Sequence, residues 1–168
     1  MKIIRIFVIS IFVLSFSVAD WAQAARKAEN FTAVTLDGRT VELASLRGKV
    51  VLLVFWSSRC SICLAEIPRL NEIAAEYSRK NIVFLAATME NEGIIESFLR
   101  RQRFDFQILP DSFGLMLKYS DRDKVGRVGI SFPAYYVIDR SGYIQFKDSG
   151  WDKTTALAGA INRTIASR

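Results

Sequence analysis

Cys60 and Cys63 are the only thiols in a chain of 168 residues that contains no histidine. Separated by Ser61 and Ile62, they stand one turn apart if a helix carries them, close enough to form a disulfide and to open it again. In such a pair one thiolate attacks a partner disulfide and the other resolves the mixed intermediate, so the spacing suits exchange between thiols and disulfides. Two blander readings compete with it. A zinc site would need carboxylates to complete it, because neither histidine nor a third cysteine is present. A purely structural bridge across so short a loop would constrain the unfolded chain little. Glu66 follows Cys63 by three residues and falls on the same helical face. A carboxylate whose pKa is raised by partial burial could take the Cys63 proton; the alternative is a solvated helix glutamate.

The neighbouring elements must position these groups. Residues 50–56, VVLLVFW, form a short, β-branched and uninterrupted apolar run, the pattern of a strand buried on both faces of an α/β sheet. Residues 60–80 place Ile62, Ile67, Leu70, Ile73, Ala74 and Tyr77 mostly at helical spacing, so the cysteines open a helix just past a central strand. Free N–H groups and the positive end of the helix dipole there favour a thiolate at Cys60.

Downstream, residues 81–87 read as a second buried strand in β-α-β order, which implies a right-handed parallel crossover. Residues 92–103 carry Ile94, Ile95, Phe98 and Leu99 at helical spacing, and residues 106–109 form a short strand. A further helix runs from Pro110 and Asp111 to Tyr119, and the charged stretch 120–129 reads as a surface loop. Residues 134–138 and 143–147 flank Ser141-Gly142 as a hairpin, and 151–167 form the closing helix. An α/β fold follows, a central mixed sheet with helices on both faces.

The N-terminus has a targeting pattern. Lys2 and Arg5 precede a mostly apolar stretch at 6–19, and Ala22-Gln23-Ala24 offers a small-x-small cleavage site, so residues 1–24 read as a signal peptide and 25–168 as the exported domain. The stretch is shorter than the roughly twenty residues of a membrane span, and an uncleaved anchor is the minority alternative. Lys2, Arg5 and Asp20 account for +1 of the chain's formal +6, leaving +5 on the domain. Basic residues gather at Arg100, Arg101 and Arg103 and at Lys118, Arg122, Lys124 and Arg127, which suits a solvated face or docking to an acidic partner or anionic lipid. Export removes nucleic acid as a partner. It also means that a reactive thiol pair must receive electrons from elsewhere or act as an oxidant.

Phe55-Trp56 followed by the Cys60–Cys63 motif, Glu66 and Pro68 resembles the TlpA-like (ResA-like) extracytoplasmic oxidoreductases of the thioredoxin superfamily, whose pattern is roughly FWAxWCxPCxxExP. The resemblance extends from about Phe31 to the C-terminus. Residues 31–43, with Leu46-Arg47-Gly48-Lys49, resemble the family's N-terminal β-hairpin extension and its lead-in to the first core strand. Phe132-Pro133 resembles its cis-proline loop.

The resemblance implies a thioredoxin-like fold, catalysis by Cys60 and Cys63 with Glu66 as an active-site carboxylate, a cis bond before Pro133, and a kink at Pro68. By position Cys60 is the attacking thiol and the more buried Cys63 the resolving one. The client is expected to meet Trp56, Arg59, Ile62, Phe132 and Pro133, with backbone pairing along the proline loop; for Trp56 a core role weighs at least as much. No cofactor is implied. Departures are Ser61-Ile62, without the family's proline before the second cysteine, and Arg59 in place of its tryptophan. Val54 stands where thioredoxin itself buries an acid. Arg59 folded over the sulfur would favour the Cys60 thiolate, whereas pointing to water it would be screened.

The expected activity is an exported, monomeric thiol-disulfide reductase that passes electrons from a membrane thiol-disulfide donor to protein clients, as in cytochrome c maturation. Alternatives are a disulfide oxidase or isomerase, a peroxiredoxin-like antioxidant, and a non-catalytic thioredoxin-fold binding module. A peroxiredoxin would need threonine three residues before its reactive cysteine, where Ser57 stands, and a nearby proline that Val54-Phe55-Trp56 does not offer.

Overall fold

A computed structural model of the protein describes residues 26–122, 125, 126 and 128–167. The signal peptide read at 1–24, and Lys124 and Arg127 of the second basic cluster, lie outside the described residues. The chain runs β1 (Arg26–Lys27), β2 (Thr32–Val34), β3 (Thr40–Glu42), a 3-10 turn (Leu43–Leu46), β4 (Val50–Phe55), α1 (Ser61–Glu76), β5 (Ile82–Ala87) and α2 (Glu92–Leu99). It continues through β6 (Gln107–Leu109), α3 (Phe113–Tyr119), β7 (Asp121–Arg122), β8 (Val128–Gly129), β9 (Ala134–Ile138), β10 (Tyr143–Ser149) and α4 (Thr154–Ala166).

Six strands form one mixed sheet in the order β1-β10-β9-β4-β5-β6, and the β2–β3 hairpin forms a separate two-stranded sheet. Strands β4, β5 and β6 are parallel, while β9 runs antiparallel to β4. The apolar run of β4 is divided by the strand's alternation. Val50, Leu52, Val54 and the following Trp56 enter a core with α1, α2 and α4, whereas Val51, Leu53 and Phe55 enter a second core with α3 and the Phe31 region. All six β4 residues are buried, which is why the sequence there has no polar face.

This topology places the chemistry. In register, Phe55 at the end of β4 faces Ala87 at the end of β5 on one side and Ala134 at the start of β9 on the other. The residues just past β4 therefore lie between the loop after β5 and the loop before β9.

Helix α1 begins as the spacing predicts but stops at Glu76, with Tyr77 as its C-cap, so residues 77–80 turn rather than extend the helix. Tyr77 is buried nonetheless, which explains its place in the periodic pattern. Pro68 lies inside α1 and cannot donate to the Leu64 carbonyl one turn earlier. The Gln102 side-chain amide donates to that carbonyl instead, at 3.2 Å. Helix α2 likewise ends at Leu99 rather than 103: the Arg101 N–H turns back to the Phe98 carbonyl, and Asn71 on α1 holds both Arg103 and Asp105. Part of the stretch expected to be loop at 120–129 pairs as the short β7–β8 ladder.

Candidate active site

Cys60 caps the N-terminus of α1 and is joined to Cys63 by a disulfide, with Cα atoms 5.2 Å apart. The Cys63 N–H donates to Cys60 Sγ at 3.2 Å, so a backbone donor of the first helical turn serves the sulfur directly. Such a donor favours negative charge on Cys60 when the bond opens. Cys60 is partly exposed and Cys63 is 2% exposed. The pair is thus asymmetric, with one sulfur reachable and one enclosed.

Glu66 is fully buried, which removes the reading of a solvated helix glutamate. Its Oε1 accepts the Asp152 N–H at 3.1 Å, while Oε2 has no hydrogen-bond partner among the described residues. Asp152 adopts a positive φ of 57°, uncommon for a residue with a side chain, and Arg69 holds its carboxylate in an exposed ion pair at 3.1 Å. Two residues earlier, Gly150 at φ 91° donates its N–H to the Pro133 carbonyl at 2.8 Å. One turn between β10 and α4 therefore ties the proline loop to the buried glutamate. The Phe132–Pro133 bond is cis.

Tyr135, in the same core, is buried with its hydroxyl unpartnered among the described residues. Burial first, then the Glu66 and Asp148 carboxylates, push its phenol well above the ordinary range. It stays a protonated phenol at any working pH.

On the other side of the cysteines stands Glu90, in the loop after β5. Its Oε1 accepts the hydroxyls of Ser57 at 3.0 Å and Ser58 at 2.8 Å, and its Oε2 accepts the Ser58 N–H at 2.9 Å and the Thr88 hydroxyl at 3.0 Å. Burial acts to raise the pKa of this carboxyl, but the donors from Ser58, Thr88 and Ser57 outweigh it and hold Glu90 below the usual carboxylate range. Nothing in the local sequence singles this residue out, since it lies thirty positions beyond Cys60; the adjacency of β4 and β5 brings it there.

The other residues expected at the site divide sharply. Ile62, between the cysteines on the first turn of α1, is 40% exposed, Phe132 is partly buried and packs against the same core as Cys60, and Pro133 is buried. Arg59 is exposed and its guanidinium makes no bond among the described residues. Trp56 corrects the expectation of client contact. It is 1% exposed and packs against Phe98 and Phe104 with ring centroids 5.1 and 5.2 Å away, so it supports the turn from below. Trp151, before α4, is 54% exposed. Among the described residues no group of three or more His, Cys, Asp or Glu could hold a metal ion, and no helix is long and apolar enough to cross a membrane.

The chain resembles known proteins in both sequence and fold. A family profile described as AhpC/TSA matches residues 24–147. The chain belongs to the AhpC/TSA family. It is 26% identical over 143 residues to the thiol-disulfide oxidoreductase ResA of Bacillus thuringiensis (strain Al Hakam), covering 84% of this chain and 78% of the relative. A Chlorobium tepidum structure provisionally named thiol:disulfide interchange protein DsbE superposes with a TM-score of 0.72 and 26% identity, over 84% of this chain and 97% of the other. A secreted Mycobacterium tuberculosis disulfide oxidoreductase homologous to E. coli DsbE superposes at 0.63 with 27% identity, over 79% and 95%. Within the family the chain is a ResA-like thiol-disulfide oxidoreductase with a thioredoxin-like fold and Cys60–Cys63 as its disulfide.

Proposed function

We propose that the protein is an exported reductase of protein disulfides, working as a monomer, with Cys60 as the attacking thiol, Cys63 as the resolving thiol and Glu66 as the base that serves Cys63. The observation that carries this reading is the asymmetry of the pair: Cys60 is reachable at the N-cap, and Cys63 is enclosed with the fully buried Glu66 one turn further along α1. In the dithiol form the Cys60 thiolate attacks a client disulfide, forming a mixed disulfide and releasing one client thiolate. Cys63 loses its proton to Glu66 and attacks the Cys60 sulfur. The second client sulfur leaves as a thiolate, the protons lost by Cys60 and Cys63 return to the two client thiolates from solvent and Glu66, and two electrons have passed to the client. A thiol donor, read as a membrane protein, must then reduce Cys60–Cys63. Export rests on the signal pattern at 1–24 and on the secreted character of the mycobacterial relative. Cytochrome c maturation is the client pathway that the family resemblance suggests.

The client strand would lie against Phe132 and Pro133, with Ile62 as an apolar contact. The reduction potential of residues 25–168, measured in glutathione or dithiothreitol buffers, tests the direction. A value near or below about −270 mV fits a reductase, and one above about −180 mV fits disulfide formation or shuffling instead. Rapid consumption of peroxide would favour the antioxidant alternative, and an unreactive Cys60 the binding module.

A further inference from the structure

We infer that Glu90 is a positioning residue of the thiol-disulfide reaction: its carboxylate braces the turn that carries Cys60 and sets a fixed negative charge against the thiolate there. This rests on the reading of Cys60 as the attacking thiol.

The bracing is explicit in the hydrogen bonds. Each Glu90 oxygen takes two donors, and three of the four come from Ser57 and Ser58. With its proton committed to Glu90, the Ser57 hydroxyl oxygen accepts the Arg59 N–H at 3.1 Å, and the Ser57 carbonyl accepts the Cys60 N–H at 3.1 Å. The carboxylate thus fixes the Ser57 hydroxyl directly, and the same residue's carbonyl holds the Cys60 N–H. Glu90 is anchored in turn: its own N–H bonds Thr88 Oγ1 at 3.3 Å, and its carbonyl accepts the Asp111 N–H at 3.0 Å. Thr88 is buried and its N–H bonds the Leu109 carbonyl on β6. The brace therefore reaches from the cysteine turn across two strands of the sheet.

The electrostatic consequence follows from proximity. Ser58, whose N–H the carboxylate holds, is two residues from Cys60, so the charge lies within about a Debye length of the sulfur. Helix α1 and the Cys63 N–H favour the Cys60 thiolate, and Glu90 opposes them. The charged groups around the turn are Arg59, exposed to solvent, Glu66 beneath Cys63, and Glu90. Removing the Glu90 charge stabilises the thiolate, hence the reduced form, and makes the pair more oxidising.

The test is Glu90→Gln in the domain 25–168, with exposed Glu96→Gln as control. Glutamine keeps the volume, and the serine hydroxyls can reverse to accept from its amide. Iodoacetamide alkylation of the reduced protein against pH gives the thiol pKa, mass spectrometry of the labelled peptide identifies the sulfur, and glutathione equilibration gives the poise. We expect the label on Cys60, a pKa about half a unit lower in Glu90→Gln, and a glutathione equilibrium moved about threefold toward the dithiol, with no change in Glu96→Gln. Label on Cys60 with an unmoved or raised pKa and an unmoved equilibrium would overturn the role of Glu90. Label on Cys63 would overturn the assignment of the nucleophile, a different failure read from a different peptide. If Glu90→Gln does not fold, Ser57→Ala tests the brace alone: alkylation at pH well above the thiol pKa should slow severalfold, and an unchanged rate would refute it.

Discussion

Glu66 and Glu90 stand on opposite sides of the same cysteine pair and are furnished in opposite ways. Glu66 is fully buried with one donor, the Asp152 N–H, and one oxygen left without a partner among the described residues. Glu90 is half-buried and saturated with four donors. Glu66 keeps spare acceptor capacity in a closed site, whereas the lone pairs of Glu90 are all occupied, which holds it as an anion. Burial alone does not assign a role to a carboxylate; the count of donors aimed at it does.

The sharpest way to break this contrast is to neutralise Glu66. Stopped-flow reduction of a model disulfide by Glu66→Gln should show release of the mixed disulfide slowed about 100-fold at neutral pH while the first attack by Cys60 keeps its rate. Equal slowing of both steps would make Glu66 a packing residue. Next in size is stability. Denaturant unfolding of Glu90→Ala should show a loss of about 1 to 2 kcal/mol, because the Ser58 N–H and Thr88 hydroxyl lose their acceptor.

The Glu90 contribution has a pH sign. Its folded pKa is depressed, so the stability it confers is present above the ordinary glutamate pKa of about 4.3 and is lost as pH falls through the folded value. Thermal melts of the wild type and Glu90→Gln should therefore differ most above about pH 5.5 and converge as pH falls below the ordinary glutamate value.

A neutral counterpart sharpens the reading. Gln102→Ala removes the donor that replaces the bond Pro68 cannot make, and should cost about 1 kcal/mol with no pH dependence over the same range. Smallest of all, Arg59→Ala should raise the Cys60 pKa by less than about half a unit, and the shift should vanish in high salt, since the guanidinium is exposed.

Much of the frame was legible beforehand for local reasons. The apolar run at 50–56 announced a strand buried on both faces, and the spacing after Cys60 announced the helix whose N-terminus the cysteine caps. The hairpin at β2–β3 and the proline loop came through the family resemblance, and the mixed sheet with its flanking helices agrees with the fold of the solved relatives. Helix ends were less legible. Tyr77 kept the apolar period although the backbone had already turned, because a buried side chain does not require a helical one. After α2 ends at Leu99 the chain is held at Arg103 and Asp105 by Asn71, a residue on another helix. Trp56 was ambiguous because an aromatic beside a reactive turn serves equally above or below it, and Phe98 and Phe104 decided for below.

The sequence by itself determined the reactive pair, its position after a buried strand, and the asymmetry between an N-cap sulfur and one a turn inside, since these depend on residues within a few positions of one another. Only the tertiary structure decided which charges meet that pair. Parallel pairing of β4 with β5 brought Glu90 to Ser57 and Ser58, and the turn after β10 brought the Asp152 N–H to Glu66. Both contacts join residues thirty or more positions apart. No local periodicity encodes such a meeting, because it is fixed by which strand ends lie side by side in the sheet.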